Sequence, residues 1–403
     1  MKIGGRMKKV TILVLHLGYG GIESAVSSLA NLLCKEYTIE IVSIYKLYDV
    51  PAFTLDKRIQ VTYLIESDLP KRLEKYKLFL FKGKGISLCK AIWKDYLCKG
   101  KIGTLCKDTF QGFSMYKKRR EVMEQFVKQC DSDILLSTRD FLNQIVASYG
   151  KKEALKIGWE HNHHNGNEKY STKIIESAKN LDYLVLVSKE LHAFYQEKLQ
   201  NEICKPIYIP NFIEKIPKEK SSVQSNHIVT VGRLSKEKGH LDLIEVMDKV
   251  HKEGIPFHLD IIGAGPEEES IQKAIVNYDL TDFITMHGFL SKENMDPIMK
   301  EASLFVLPSY TESFGIVILE AMSYGIPCLA FDSAQGASEI IEDNWDGYLV
   351  ANRDKERMAK RIVQLLKSPN RRVVMSSNAL KKAKKFTGTQ VKKEWVKLFE
   401  KEK

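Results

Sequence analysis

Leu304-Phe305-Val306-Leu307-Pro308-Ser309-Tyr310-Thr311-Glu312-Ser313-Phe314-Gly315-Ile316-Val317-Ile318-Leu319-Glu320-Ala321-Met322 reads as a strand, a polar turn and a helix. The apolar run 304–307 has the length of a buried strand, and Pro308, which cannot donate to a ladder, stops it. Gly315 opens a helical pattern that reaches 324. In α/β domains ligands bind at such strand-to-helix turns. The first helical amides, from about Phe314 to Val317 and so including Ile316, suit a diphosphate, with Ser313 in the turn before them. Gly315 lets backbone and ligand approach closely. Glu312 is itself anionic, which makes it a poor phosphate ligand and a good acceptor for sugar hydroxyls. Glu320, on the helix beyond, can hold two ribose hydroxyls. Taken alone, two glutamates eight apart favour the plainer reading, a carboxylate placed by the helix dipole and a solvated helix residue.

The same strand–turn–helix scheme recurs on either side. Val229-Thr230-Val231-Gly232-Arg233-Leu234-Ser235-Lys236-Glu237-Lys238-Gly239 runs from a strand through Gly232 to a helix start. It places the cations Arg233 and Lys238 where they can neutralise a leaving nucleoside diphosphate. Ile261-Ile262-Gly263-Ala264-Gly265-Pro266 and Met286-His287-Gly288-Phe289 are two further strands ending in glycine turns, where a base could rest. Plain turn chemistry explains those two as well. Strands are predicted at 227–231, 258–262, 283–286, 304–307 and 328–331, with helices at 240–250, 268–276, 294–300 and 315–324. The first half gives strands at 10–15, 38–44, 59–64, 134–137, 157–159 and 183–187, with Gly18-Tyr19-Gly20-Gly21 leading into a helix over 23–33. Alternating strands and helices imply βαβ units and parallel sheets. A chain of 403 residues exceeds what one core serves, and the polar, Pro-broken segment 209–225 reads as a linker. The expected division is 1–208, 209–225, 226–385 and a terminal helix 386–403, with Leu365, Val391, Trp395 and Leu398 buried.

Taken in order and spacing, Gly20-Gly21-Ile22-Glu23, Ile209-Pro210-Asn211, Gly232-Arg233…Lys238-Gly239, Gly263-Ala264-Gly265-Pro266, Glu312…Glu320, Ala337-Ser338-Glu339-Ile340-Ile341 and Asp346-Gly347-Tyr348-Leu349-Val350 resemble the retaining glycosyltransferases of family 4. The resemblance covers nearly all of the second half and only patches of the first. It implies an α/β protein of the GT-B fold: two Rossmann-like domains facing each other across a cleft, the N-terminal one for acceptor, the C-terminal one for donor. The terminal helix is expected to return to the N-terminal domain. The resemblance also implies that Arg233 and Lys238 bind the donor diphosphate, Glu312 the transferred sugar and Glu320 the ribose, while Gly20 and Gly21 approach the phosphates. The implied activity is transfer of a hexose-type sugar from a nucleoside-diphosphate sugar, UDP-sugar being the expected donor. The acceptor is expected to be a glycan or a polyprenyl-diphosphate-linked glycan in cell-surface polysaccharide synthesis. No metal and no other cofactor is implied. In Trp159-Glu160-His161-Asn162-His163-His164-Asn165, three histidines suggest metal, yet no acid or cysteine falls at a strong zinc spacing. The resemblance points to His161 as the functional histidine.

Composition bounds the alternatives. Apolar residues make up 44% and charged residues 28%, as in soluble globular chains, and the seven cysteines show no CxxC pair, as expected of reduced thiols. The apolar run 10–17 is too short for a signal sequence or a membrane span, so a cytoplasmic protein is expected. The net charge of +11 is uneven: residues 71–120 hold 15 Lys or Arg against 3 acids, inside an insertion placed at about 68–125. A local surplus does not fit a nucleic-acid binder. With its interleaved aromatics it suits peripheral docking on an anionic membrane surface, or equally a solvated Lys-rich insertion. A nicotinamide dehydrogenase is excluded by Glu23 standing where a third glycine belongs. A sugar-nucleotide epimerase or phosphorylase of the same fold, or a non-catalytic carbohydrate-binding protein, stay as alternatives.

Overall fold

The computed structural model describes residues 2–3, 6–65 and 110–401. Much of the basic stretch lies outside the described residues. Contacts divide the chain into two compact units, Met1–Gly158 with Ser177–Asp182 and Lys403, and Trp159–Glu176 with Tyr183–Glu402. After a short antiparallel pair, β1 (Lys2–Ile3) and β2 (Arg6–Met7), come β3 (Lys9–His16), β4 (Thr38–Tyr45), β5 (Gln60–Ile65), β6 (Ile134–Ser137), β7 (Leu155–Glu160), β8 (Tyr183–Leu186) and β9 (Lys205–Tyr208). These form a seven-stranded sheet of order β5-β4-β3-β6-β7-β8-β9, in which Val10 of β3 lies parallel to Ile39 on one side and Ile134 on the other. Its helices are α1 (Gly21–Leu33), α2 (Phe110–Gln129), α3 (Asp140–Tyr149), α4 (Glu168–Ala178) and α5 (Lys189–Lys198).

The basic stretch therefore ends in an ordinary helix. Met123 and Val127 of α2 are fully buried, Arg119 lies 4.6 Å over the Phe141 ring, and Arg120 bonds Glu124 and Gln144. Lys205–Tyr208 escaped the sequence reading because Pro206 argues against a strand; it is an edge strand, where a missing N–H is tolerated.

The second sheet, of order β12-β11-β10-β13-β14-β15, comprises β10 (His227–Val231), β11 (His258–Ile262), β12 (Ile284–Gly288), β13 (Leu304–Leu307), β14 (Cys328–Phe331) and β15 (Gly347–Val350). Every pair is parallel. Its helices are α6 (His240–Lys252), α7 (Glu268–Asn277), α8 (Lys292–Glu301), α9 (Ile316–Ser323), α10 (Gln335–Ile340), α11 (Lys355–Leu366), α12 (Pro369–Lys385) and α13 (Gly388–Phe399). The short apolar runs behave as expected of strands buried on both faces. Leu259 and Ile261 pack with Leu243, Ile244 and Met247 of α6 and with Met358, Ile362 and Leu365 of α11. Each such side chain contributes roughly 1.5–3 kcal/mol. Segment 211–226 has no regular element apart from a single bridge, Ile213 to Thr387. Val391, Trp395 and Leu398 of α13 are buried, and Trp395 meets Trp159 of β7 edge-on at 4.9 Å. Among the described residues no helix is long and apolar enough to cross a membrane.

Candidate active site

In the second sheet β11 and β12 follow β10 on one side, and the chain then crosses to lay β13 on the other. The direction of winding reverses between β10 and β13, and at such a switch point the turns after the two strands diverge and leave a crevice. The two turns here are 232–239 and 308–315, the segments carrying Arg233, Lys238 and Glu312. The structure brings Lys238 and Glu312 together: the Lys238 Nζ donates to Glu312 Oε1 at 2.5 Å, with side chains 25% and 13% exposed. Ser309, fully buried, donates its hydroxyl to the same oxygen at 2.8 Å. The cation expected for phosphate and the carboxylate expected for sugar satisfy each other. Arg233, on the same turn as Lys238, is exposed.

Glu312 and the helix start occupy one corner. Gly315 caps α9, whose first amides, from Ile316, lie beyond Ser313 and the buried Phe314. One turn and a half further on, Glu320 is half-buried, with Lys292 at 3.8 Å. Burial raises its carboxyl pKa, and Lys292 opposes the shift. A carboxylate short of solvent partners is suited to accept a pair of hydroxyls.

The glycine turns have a packing role that the sequence does not show. A Cβ on Gly263 would sit 1.8 Å from the Gly232 carbonyl oxygen, and one on Gly265 2.3 Å from that of Leu234. The turns after β10 and β11 press backbone on backbone, sealed by Gly232 N–H to Ile262 O at 3.0 Å and Leu234 N–H to Ala264 O at 3.1 Å. Gly288 continues the stack, its carbonyl accepting from Gly263 N–H at 2.8 Å. Gly239 holds φ 67, a left-handed backbone that links the turn bearing Lys238 to α6.

His240, the first residue of α6, escaped the sequence reading. It is 3% exposed, and neither ring nitrogen has a hydrogen-bond partner. Burial, with a smaller push from Lys238, holds its pKa down to about 4. Asp242 follows it. Burial pushes its carboxyl up, but hydrogen bonds from Arg353 and Lys355 outweigh that and leave it below its ordinary value. A cavity of about 440 Å³ opens beside this corner, lined by Ser235, Glu237, His240, Asp242, Ile271 and Tyr310. Its lining does not include Lys238 or Glu312.

His161 is 8% exposed and lies against Trp159, the two rings tilted by 48° with centroids 4.3 Å apart. Its two neighbours serve the turn: His163 pairs with Asn165 at 2.7 Å and Glu190 at 3.2 Å, and His164 stacks on Phe194 at 4.1 Å. In the other unit, Gly20 and Gly21 lead from β3 into α1, and the buried Glu23 carboxylate lies 3.5 Å from His16 Nδ1 and 3.6 Å from Arg139.

The fold is that of a two-domain GT-B protein, and the comparisons make the chain a glycosyltransferase by class. Residues 211–382 match the family described as Glycosyl transferases group 1. The chain is 26% identical over 392 residues to an exopolysaccharide phosphotransferase of Streptomyces coelicolor, covering 94% of this chain but only 39% of that protein's length. It is 25% identical over 403 residues to a Campylobacter jejuni N-acetylgalactosaminyltransferase named for an undecaprenol-linked acceptor, covering 97% and 98% of the two chains. The solved structure of S. aureus TarM, holding UDP, superposes with a TM-score of 0.75 at 18% identity over 98% of this chain and 100% of that one. At that identity the likeness speaks for the fold.

Proposed function

We propose that the protein is a retaining glycosyltransferase that moves a hexose-type sugar from a nucleoside-diphosphate sugar, UDP-sugar in the first instance, to a glycan or lipid-linked glycan acceptor in cell-surface polysaccharide synthesis. The observation that carries this reading is the meeting of Lys238 and Glu312 at the switch point of the second sheet. The undecaprenol-linked acceptor in the Campylobacter relative's name and the UDP in the TarM structure support the choice of acceptor and donor. On this reading residues 226–385 form the donor domain and 1–208 the acceptor domain, with 209–225 joining them. The basic residues between 68 and 125 dock the protein peripherally on an anionic membrane surface at the inner face of the cell membrane.

Donor binding exchanges partners. The diphosphate takes the Lys238 ammonium and the Arg233 guanidinium and faces the first amides of α9. The freed Glu312 carboxylate then accepts hydrogen bonds from the sugar hydroxyls. Glu320 holds the ribose. Gly263, Gly265 and Gly288 form the floor for the base, and His161 contacts the sugar or acceptor. Gly20 and Gly21 offer backbone N–H groups to an anionic group. The leaving diphosphate needs charge compensation more than protonation, which two cations and a helix start supply. The acceptor hydroxyl attacks the anomeric carbon from the face the phosphate leaves, and the departing phosphate oxygen takes its proton. Configuration is thereby retained with neither glutamate acting as nucleophile.

The test is nucleoside-diphosphate release from a panel of UDP-, GDP- and dTDP-sugars, with and without lipid-linked acceptors. Glu312→Ala and Lys238→Ala should each lower turnover by about 10²–10³-fold at unchanged thermal stability. Tight nucleotide binding without release would make the protein a binding module, and full activity in either variant would remove the site assignment.

A further inference from the structure

Arg353 lies just outside the quoted motifs, three residues beyond Val350, and its backbone has φ 53, a left-handed conformation an arginine adopts only at a cost. It closes the 3-10 turn Ala351–Arg353 after β15. Local strain of this kind persists where surrounding contacts over-determine it. Here the contacts converge on the guanidinium, with the side chain 16% exposed. Its Nη1 donates to the Ser309 carbonyl at 2.9 Å and the Ser333 hydroxyl at 3.2 Å. Its Nη2 donates to the Pro308 carbonyl at 3.0 Å and to the Asp242 carboxylate. Its Cζ lies 3.5 Å from the Tyr310 ring centroid and 4.4 Å from that of Phe331.

Those partners belong to two separate turns. Pro308, Ser309 and Tyr310 begin the turn that carries Glu312. Asp242 lies in the first turn of α6, directly after the turn that carries Lys238. The two turns also touch through Tyr310 N–H to Glu237 O at 2.8 Å, and at Gly239, where a Cβ would stand 2.2 Å from the Pro308 oxygen and 3.1 Å from Arg353 Nη2. We propose that Arg353 is a positioning residue: one planar guanidinium that joins both turns and thereby fixes Lys238 and Glu312 at the spacing a sugar diphosphate requires. It need not touch the donor. The inference rests on the donor-site reading above, because it concerns the spacing of the two residues which that reading places on phosphate and sugar.

Lysine cannot replace it. An ammonium is a compact charge with no planar fork, and it cannot serve two backbone carbonyls and a carboxylate while filling the slot between two rings. Arg353→Lys should keep charge near Asp242 and fold. It should lose about 10²-fold in kcat per nucleotide-binding site with a much smaller change in donor KM, as expected when reacting groups are misplaced by about an ångström. Asp242→Asn, which leaves the carbonyl contacts in place, should lose about 10-fold, and gives a second reading if Arg353→Lys folds poorly. In a crystal structure of either variant the Ser309–Glu312 turn should have moved away from Lys238. An unmoved turn, or wild-type kcat in both variants, overturns the inference. Wild-type turnover in Lys238→Ala strikes the donor-site reading instead. The crystal structures then still decide whether Arg353 holds the turns.

Discussion

His240 gives the molecule a measurable acid sensitivity. Its imidazole is 3% exposed, without a hydrogen-bond partner on either nitrogen, and held down to about 4 by burial and by Lys238. In the unfolded chain a histidine titrates near 6.5, so on acidification the unfolded state takes up its proton first. Stability from this residue is therefore complete above pH about 6.5 and falls as pH drops toward about 4. Integrating between the two values gives a loss of about 1.4 kcal/mol at pH about 5.5 and about 2.6 kcal/mol at pH about 4.5. For a unit of this size that is a fall in Tm of roughly 5–10 °C. Acid acts on the stability of a protein through many groups at once, so the effect is read as a difference between wild type and His240→Met. This substitution has similar volume, no proton to gain and no buried polar nitrogens left unsatisfied. Calorimetry and urea unfolding of both proteins from pH about 7.5 to about 4.5 should give stability profiles that diverge on the acid side, the variant losing less. Parallel profiles, or an imidazole that titrates near 6.5 by NMR in the folded protein, would refute the reasoning.

Two further outcomes are expected. Gly263→Ala should lower Tm markedly, by about 4 °C or more, since its Cβ would stand 1.8 Å from the Gly232 carbonyl and two backbone turns must part to admit it. An unchanged Tm there would mean the turns are not in contact in solution. The protein should sediment with anionic vesicles at low salt and leave them at high salt. Because Arg119 and Arg120 are engaged by Phe141, Glu124 and Gln144, the charges to neutralise are Lys82, Lys84, Lys117 and Lys118, and unchanged partitioning in that variant would count against docking.

What the sequence shows and what it hides divide along a physical line. A buried parallel strand needs a short apolar run and a helix start needs a turn, so β10, β11, β13 and β14 and the helices after them can be read from local pattern alone. The edge strand Lys205–Tyr208, with Pro206 inside it, and the six-residue Gln335–Ile340 helix fall below that signal. The site divides the same way. Arg233, Lys238, Glu312 and Glu320 are singled out by the resemblance of the segments that carry them, since alone the two glutamates read as ordinary helix residues. That Lys238 meets Glu312 is set by the order of strands, and nothing within either segment encodes the order. His240 reads locally as an unremarkable polar helix start, and only the packing of α6 against the glycine turns buries it. Arg353 is the extreme case. In sequence it is one cation among 62 Lys and Arg in a turn near the chain's end. Its significance comes from a left-handed backbone and from two turns that lie far apart along the chain. Charge near a turn can therefore be found by reading, whereas the residue that holds two such turns at working distance has to be found by geometry.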